Sequence, residues 1–103
     1  MVYLVRTTQF LKFDESFEEE GKKLWEHLRN SYPQIKEMKF LFNVTGPINE
    51  LHWLLKFDSL ADEDEWATKV VRDEVYLNWM SAMEGVMTPG IDKLYREVDM
   101  LEI

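Results

Sequence analysis

His52 and Lys56 stand four positions apart in a segment of alternating polarity, so a strand places both on one face. Arg6, in a second alternating segment, is the cation expected to join them from a neighbouring strand. A histidine set among cations is held as a neutral base, which suits removal of a proton from a phenol or an activated carbon acid. Arg6 or Lys56 then holds the anion that forms. The plainer reading of His52 is an interfacial histidine, bonded to a partner chain or to Glu97. The lack of a second catalytic signature favours that reading.

A second group is apolar. Tyr76, Trp79 and Met83, with Met80 and Met87, fall in one stretch. They offer large, adaptable surface of the kind that lines a cleft for a small hydrophobic or aromatic molecule. Leu54 is taken with them as a binding residue. Trp25, Trp53 and Trp66 follow helical or strand periodicity and read as core.

Other chemistries find little support. Asp62-Glu63-Asp64-Glu65 lacks the glycine and the distal glutamate of a calcium loop, and a helix N-terminus explains the run. His27 reads as a solvated residue on a helix flank. It lies 25 positions from His52, which is no zinc spacing. There is no phosphate-binding glycine loop and no Gly-x-Ser-x-Gly elbow. With no cysteine, thiolate ligands, disulfides and cysteine nucleophiles are excluded together. Neither a metal nor a cofactor is expected.

These residues need elements to position them. Residues 2–10 read as a strand, with Val2, Leu4, Arg6, Thr8 and Phe10 on one side. Residues 16–31 read as an amphipathic helix opened by a Ser16–Glu19 capping box and stopped at Pro33. Residues 37–45 and 51–57 read as strands joined by a turn at Gly46–Glu50. Ser59 and Asp62 form a second capping box for a helix that breaks near Arg72-Asp73. A further helix runs on past Met80 and Met83 to Met87, ended by Thr88-Pro89-Gly90. Residues 92–101 read as a last strand.

The resulting β-α-β-β-α-β order is the ferredoxin-like pattern: a four-stranded antiparallel sheet in order 4-1-3-2, with the helices on one face. The chain forms a single α+β domain over 1–103. The covered face is expected to be Met38, Phe40, Phe42 and Val44 with Leu51, Trp53, Leu55 and Phe57. The other face is expected to hold Val2, Leu4, Leu41 and Leu54 among Arg6, Thr8, His52 and Lys56. A face so apolar calls for a second copy packed sheet to sheet about a two-fold axis.

The chain has 103 residues, 46% of them hydrophobic, and a formal net charge of −8. That balance argues against a nucleic-acid backbone or an anionic membrane as partner. No apolar run is long enough to span a bilayer, and Met1–Arg6 lacks the features of a signal peptide, so a cytoplasmic location is expected.

Asn43-Val44-Thr45-Gly46, Leu51-His52-Trp53, Phe57-Asp58-Ser59-Leu60 and Asp73-Glu74-Val75-Tyr76-Leu77-Asn78-Trp79 together resemble the dimeric α/β-barrel superfamily. NIPSNAP-type proteins and antibiotic-biosynthesis-type monooxygenases belong to it. The NIPSNAP flavour is nearest: a strand ending in Phe-Asp-Ser, a helix, then Asp-x-x-Tyr. The resemblance implies a homodimer with a cleft between helices and sheet in each chain. It also implies, as an alternative to simple binding, a cofactor-independent monooxygenase or cyclase acting on an aromatic polyketide-like substrate. A structural dimerisation module is a third reading. Haem-degrading members use an Asn in strand 1 and a Trp and a His on the second helical region. This sequence has Thr7 and Thr8, Lys69 and Trp79 there, which departs from that pattern.

Overall fold

The computed structural model describes residues 1–12 and 14–98. The elements are β1 (Val2–Gln9), α1 (Ser16–Ser31), β2 (Ile35–Phe42), β3 (Glu50–Phe57), α2 (Leu60–Val70), α3 (Glu74–Ala82) and β4 (Ile91–Arg96). The strands form one antiparallel sheet in order β2-β3-β1-β4. This is the expected ferredoxin-like topology, with β1 and β3 central. The expected part of the last strand at Asp99, Met100 and Leu101 lies outside the described residues.

β3 shows why the sheet has one core face. Leu51, Trp53, Leu55 and Phe57 are buried, and the residues between them are half-buried. They meet Leu24 and Leu28 of α1, Trp66 and Val70 of α2, and Trp79 of α3 in one core cluster. Burying an aliphatic or aromatic side chain of this size is worth about 1.5–3 kcal/mol. This layer therefore supplies much of what offsets the entropy of ordering the chain.

Register corrects the expected assignment of β1. Val2 pairs with Phe57, Leu4 with Leu55, Arg6 with Trp53 and Thr8 with Leu51. Directly paired residues share a face, so Val2, Leu4, Arg6 and Thr8 lie beneath the helices. The open face instead carries Tyr3, Val5 and Thr7 of β1 with His52, Leu54 and Lys56 of β3. Leu41 of β2 and Ile91 and Tyr95 of β4 extend it and are exposed. Strand 1 is apolar on both sides, so polarity alone leaves its parity undetermined.

The helix starts follow local hydrogen bonding. Ser59 accepts from the Asp62 N–H at 3.2 Å and caps α2. Asp73 sits in the break between α2 and α3, where its Oδ1 accepts from the N–H groups of Val75 and Tyr76. The Ser16–Glu19 box does not form. Asp14 takes both the N–H and the hydroxyl of Ser16, at 2.9 and 2.7 Å, which places Ser16 inside the helix.

Two loops depart from expectation. β2 begins at Ile35 and ends at Phe42, because Asn43 turns out of the strand and donates to the Pro47 carbonyl at 2.6 Å. Gly46 then adopts φ +85°, a conformation in which a Cβ is strained. α3 stops at Ala82, well before Met87. Gly85, at φ +82°, redirects the chain so that Met83, Val86 and Met87 pack inward. Leu11 N–H donates to the Val86 carbonyl and Thr88 N–H to the Gln9 carbonyl, both at 2.8 Å, fastening residues 83–88 to the end of β1.

Candidate functional site

Between that fastened loop, α3 and the sheet lies a cleft of about 450 Å³. Trp53 projects from β3, Trp79 and Met80 from α3, and Met83 and Met87 from the loop. The two indoles meet edge to face, with ring centroids 4.8 Å apart. Arg6, Thr8 and Thr88 bring polar groups to the same space, and Glu84 stands at its exposed margin.

Arg6 is the cationic group of this cleft, and it is tightly held. Nε donates to Asp92 Oδ1 at 2.8 Å and one terminal nitrogen to Oδ2 at 3.0 Å, a bidentate pair. The other terminal nitrogen donates to the Tyr76 hydroxyl at 2.5 Å. The guanidinium carbon stands 6.0 Å from the Trp53 ring centre and 5.9 Å from that of Tyr76. Burial works against the charge, but the hydrogen bonds to Asp92 and Tyr76 outweigh it and raise the guanidinium above its ordinary range. Gly90 leaves room for the stem: a Cβ there would sit 2.4 Å from the Arg6 Cγ.

His52, Arg6 and Lys56 do not form one constellation. Arg6 points beneath the helices, while His52 and Lys56 stand on the open face. Both nitrogens of His52 are spoken for: Nδ1 lies 2.9 Å from Thr7 Oγ1 and Nε2 lies 2.7 Å from Asn43 Oδ1. The Asn43 carbonyl oxygen can only accept, so Nε2 carries hydrogen and Nδ1 of the neutral ring accepts from Thr7. Lys56 lies 5.8 Å from the centre of the Tyr3 ring. Glu97, one of the two partners expected for His52, accepts from the Tyr3 hydroxyl instead.

The expected binding residues also divide. Trp79 and Met83 line the cleft. Tyr76 is buried beside it and joins it through Arg6. Leu54 lies on the open face, paired with Val5, and has no part in the cleft. Sequence reasoning missed Asp92, because only the β1–β4 register sets it against Arg6.

A second polar cluster ties α1 to the start of α3. His27, expected to be solvated, has Nε2 2.6 Å from Asp73 Oδ2, and the Tyr32 hydroxyl donates to the same oxygen at 2.5 Å. Burial would raise the Asp73 carboxyl, but the bonds from Tyr32, His27 and the Tyr76 N–H hold it below the usual carboxylate range. Burial and the bond to Asp73 push the Tyr32 phenol up to about 12. No group of three or more metal-ligating side chains occurs among the described residues. No described helix is long and apolar enough to cross a membrane.

Solved structures share this architecture. A NIPSNAP family protein of unknown function from Agrobacterium tumefaciens is 21% identical, covering 97% of this chain and 90% of that chain, with a TM-score of 0.69. SnoaB, a cofactor-independent oxygenase from Streptomyces nogalater, is 12% identical, covering 97% and 95%, with a TM-score of 0.73. An antibiotic biosynthesis monooxygenase is 14% identical, covering 96% and 100%, with a TM-score of 0.68. The chain has the ferredoxin-like fold of these proteins. It is the fold of the superfamily that the sequence resembles. No protein-family model matches the chain, and no curated protein is similar to it in sequence.

Proposed function

We propose that this protein binds a small hydrophobic or aromatic molecule in the cleft between α3 and the sheet. The observation that carries the reading is the cleft itself. Its volume of about 450 Å³ falls within the range of small-molecule sites, roughly 300–1,000 Å³, and two indoles and three methionines wall it. Flat rings stack on indole, and methionine adapts to varied outlines. Native mass spectrometry of freshly purified protein tests for a carried ligand. Calorimetric titration with 2-naphthamide, a neutral bicyclic aromatic, tests the site. Binding that is lost in Met80→Trp, which fills the exposed mouth, supports the reading. Binding unaffected by that substitution, or no binding at all, overturns it.

The likeness to a cofactor-independent oxygenase favours a second reading, oxygen insertion into an aromatic polyketide-like substrate. Such chemistry needs donors that stabilise a substrate anion, and Arg6, held in place by Tyr76, supplies them. His52 does not serve as its base, since it stands on the other side of the sheet. Oxygen uptake with an anthrone above the uncatalysed rate supports this reading, and uptake equal to buffer overturns it. In both readings two copies pair through their open sheet faces.

A further inference from the structure

The polar groups around the cleft are unbalanced. Of the five N–H bonds of Arg6, two go to Asp92 and one to Tyr76, which leaves one on each terminal nitrogen. The Tyr76 hydroxyl spends its oxygen on Arg6. Its own hydrogen meets no acceptor among the described residues, although the residue is only 7% exposed. The two indoles that wall the cleft also keep buried N–H groups without partners among the described residues. Every unspent polar hydrogen here is a donor. Leaving such groups dry costs free energy that a ligand acceptor restores.

We propose that Arg6, positioned by Asp92 and Tyr76, forms an oxyanion-binding end of the cleft, so that its ligand is an aromatic molecule bearing a carboxylate, enolate or phenolate oxygen. This deepens the cleft-binding reading and rests on it. Asp92 offsets the charge from one side only. Its carboxylate takes one edge of the guanidinium and is 42% exposed, while Arg6 is 17% exposed and turned toward the cleft. Asp92 acts as a positioning residue, fixing the plane of the fork, and Gly90 keeps the space its stem needs. Glu84 at the margin repels an anion resting at the mouth. The bound oxyanion therefore sits inward at Arg6, with the ring toward the mouth.

Calorimetry with 2-naphthoate and 2-naphthamide, which share one ring system and differ in charge, tests the assignment. Naphthoate is expected to bind at least tenfold more tightly. Tyr76→Phe should reduce that preference severalfold, and Arg6→Gln, with native circular dichroism, should erase it. Asp92→Asn keeps a hydrogen-bond acceptor and removes the competing charge. It should raise naphthoate affinity and leave naphthamide unchanged, which holds the proposal to account even if Arg6→Gln does not fold. Equal binding of the two probes, or a preference undiminished in Arg6→Gln, overturns the oxyanion assignment alone. Failure of both probes to bind overturns the cleft reading and this inference with it.

Discussion

Tyr32, Asp73 and His52 show how partners decide what a titratable residue does. The Tyr32 phenol, ordinarily near 10.0, is pushed up to about 12 by burial and its bond to Asp73. The fold therefore favours the protonated phenol, and its contribution is complete below pH 10 and lost as pH climbs toward 12. Tyr32→Phe should cost about 1.5–3 kcal/mol at pH 8, the usual worth of a hydrogen bond to a charged group. Urea unfolding should show the two proteins converging by pH 12, and a constant gap across that range would refute this account. Asp73 works in the opposite direction. Its carboxyl is held below the ordinary 3.8, so its contribution stands above that pH and is lost as acid carries the pH down through the lowered value. His52 is bonded at both nitrogens on the open face. His52→Ala should cost about 1–2 kcal/mol of stability and leave naphthoate affinity unchanged, since the sheet separates it from the cleft. A drop in affinity of tenfold or more would place His52 at the site after all.

At the level of elements, the start of β4 sets the cleft through Gly90. A Cβ at this position meets Arg6 Cγ and Cδ at 2.4 and 2.5 Å, in the middle of the stem where little can yield. Gly90→Ala should therefore cost about 1–3 kcal/mol by overpacking and should weaken naphthoate relative to naphthamide by displacing the guanidinium. Thermal unfolding and the same titrations check both effects, and a variant matching the parent in both would show that Arg6 is not confined. The elements themselves were largely legible in the sequence. β3 alternates cleanly, Asp73 announces the break between α2 and α3, and Ser59 announces the start of α2. The misreadings have physical causes. β1 is apolar on both sides, so only pairing fixed its parity, and that choice moved Arg6 to the face opposite His52. The stretch after α3 keeps helix-like methionines at 83 and 87, but Gly85 at φ +82° breaks the period and turns them into the wall of the cleft. Half of the site was thus visible as residue types, Trp79, Tyr76 and Met83. Arg6 was legible as an anion holder but was set beside His52, because its partner Asp92 meets it only through a register between strands some 86 positions apart.

For the whole molecule, charge and polarity favour one surface for the proposed second copy. Each chain carries a formal −8, so two copies repel at most approaches. The open sheet face is the exception. On it Lys39, Lys56 and Lys93 are balanced by Glu37, Glu50 and Glu97. That is near neutrality on a strongly acidic chain, and the remaining surface carries the negative balance. The same face exposes Leu41, Ile91 and Tyr95 and half-buries Val5 and Leu54. Apolar surface of this breadth on one side of a sheet, with its charges balanced, suits an isologous contact. Two-fold packing would also enclose His52 and give its bonds to Thr7 and Asn43 a dry setting. Leu54→Asp, near the centre of β3, places a carboxylate in that contact twice, once from each copy. Sedimentation at micromolar concentration should then fall from the dimer to the 12.4 kDa chain, with circular dichroism unchanged. Because the cleft and the proposed seam lie on opposite sides of the sheet, the separated chain should still bind 2-naphthoate. A parent protein that already sediments as a monomer would remove the pairing and leave the cleft untouched, while a dissociated variant that no longer binds would show that the two faces are coupled through the sheet.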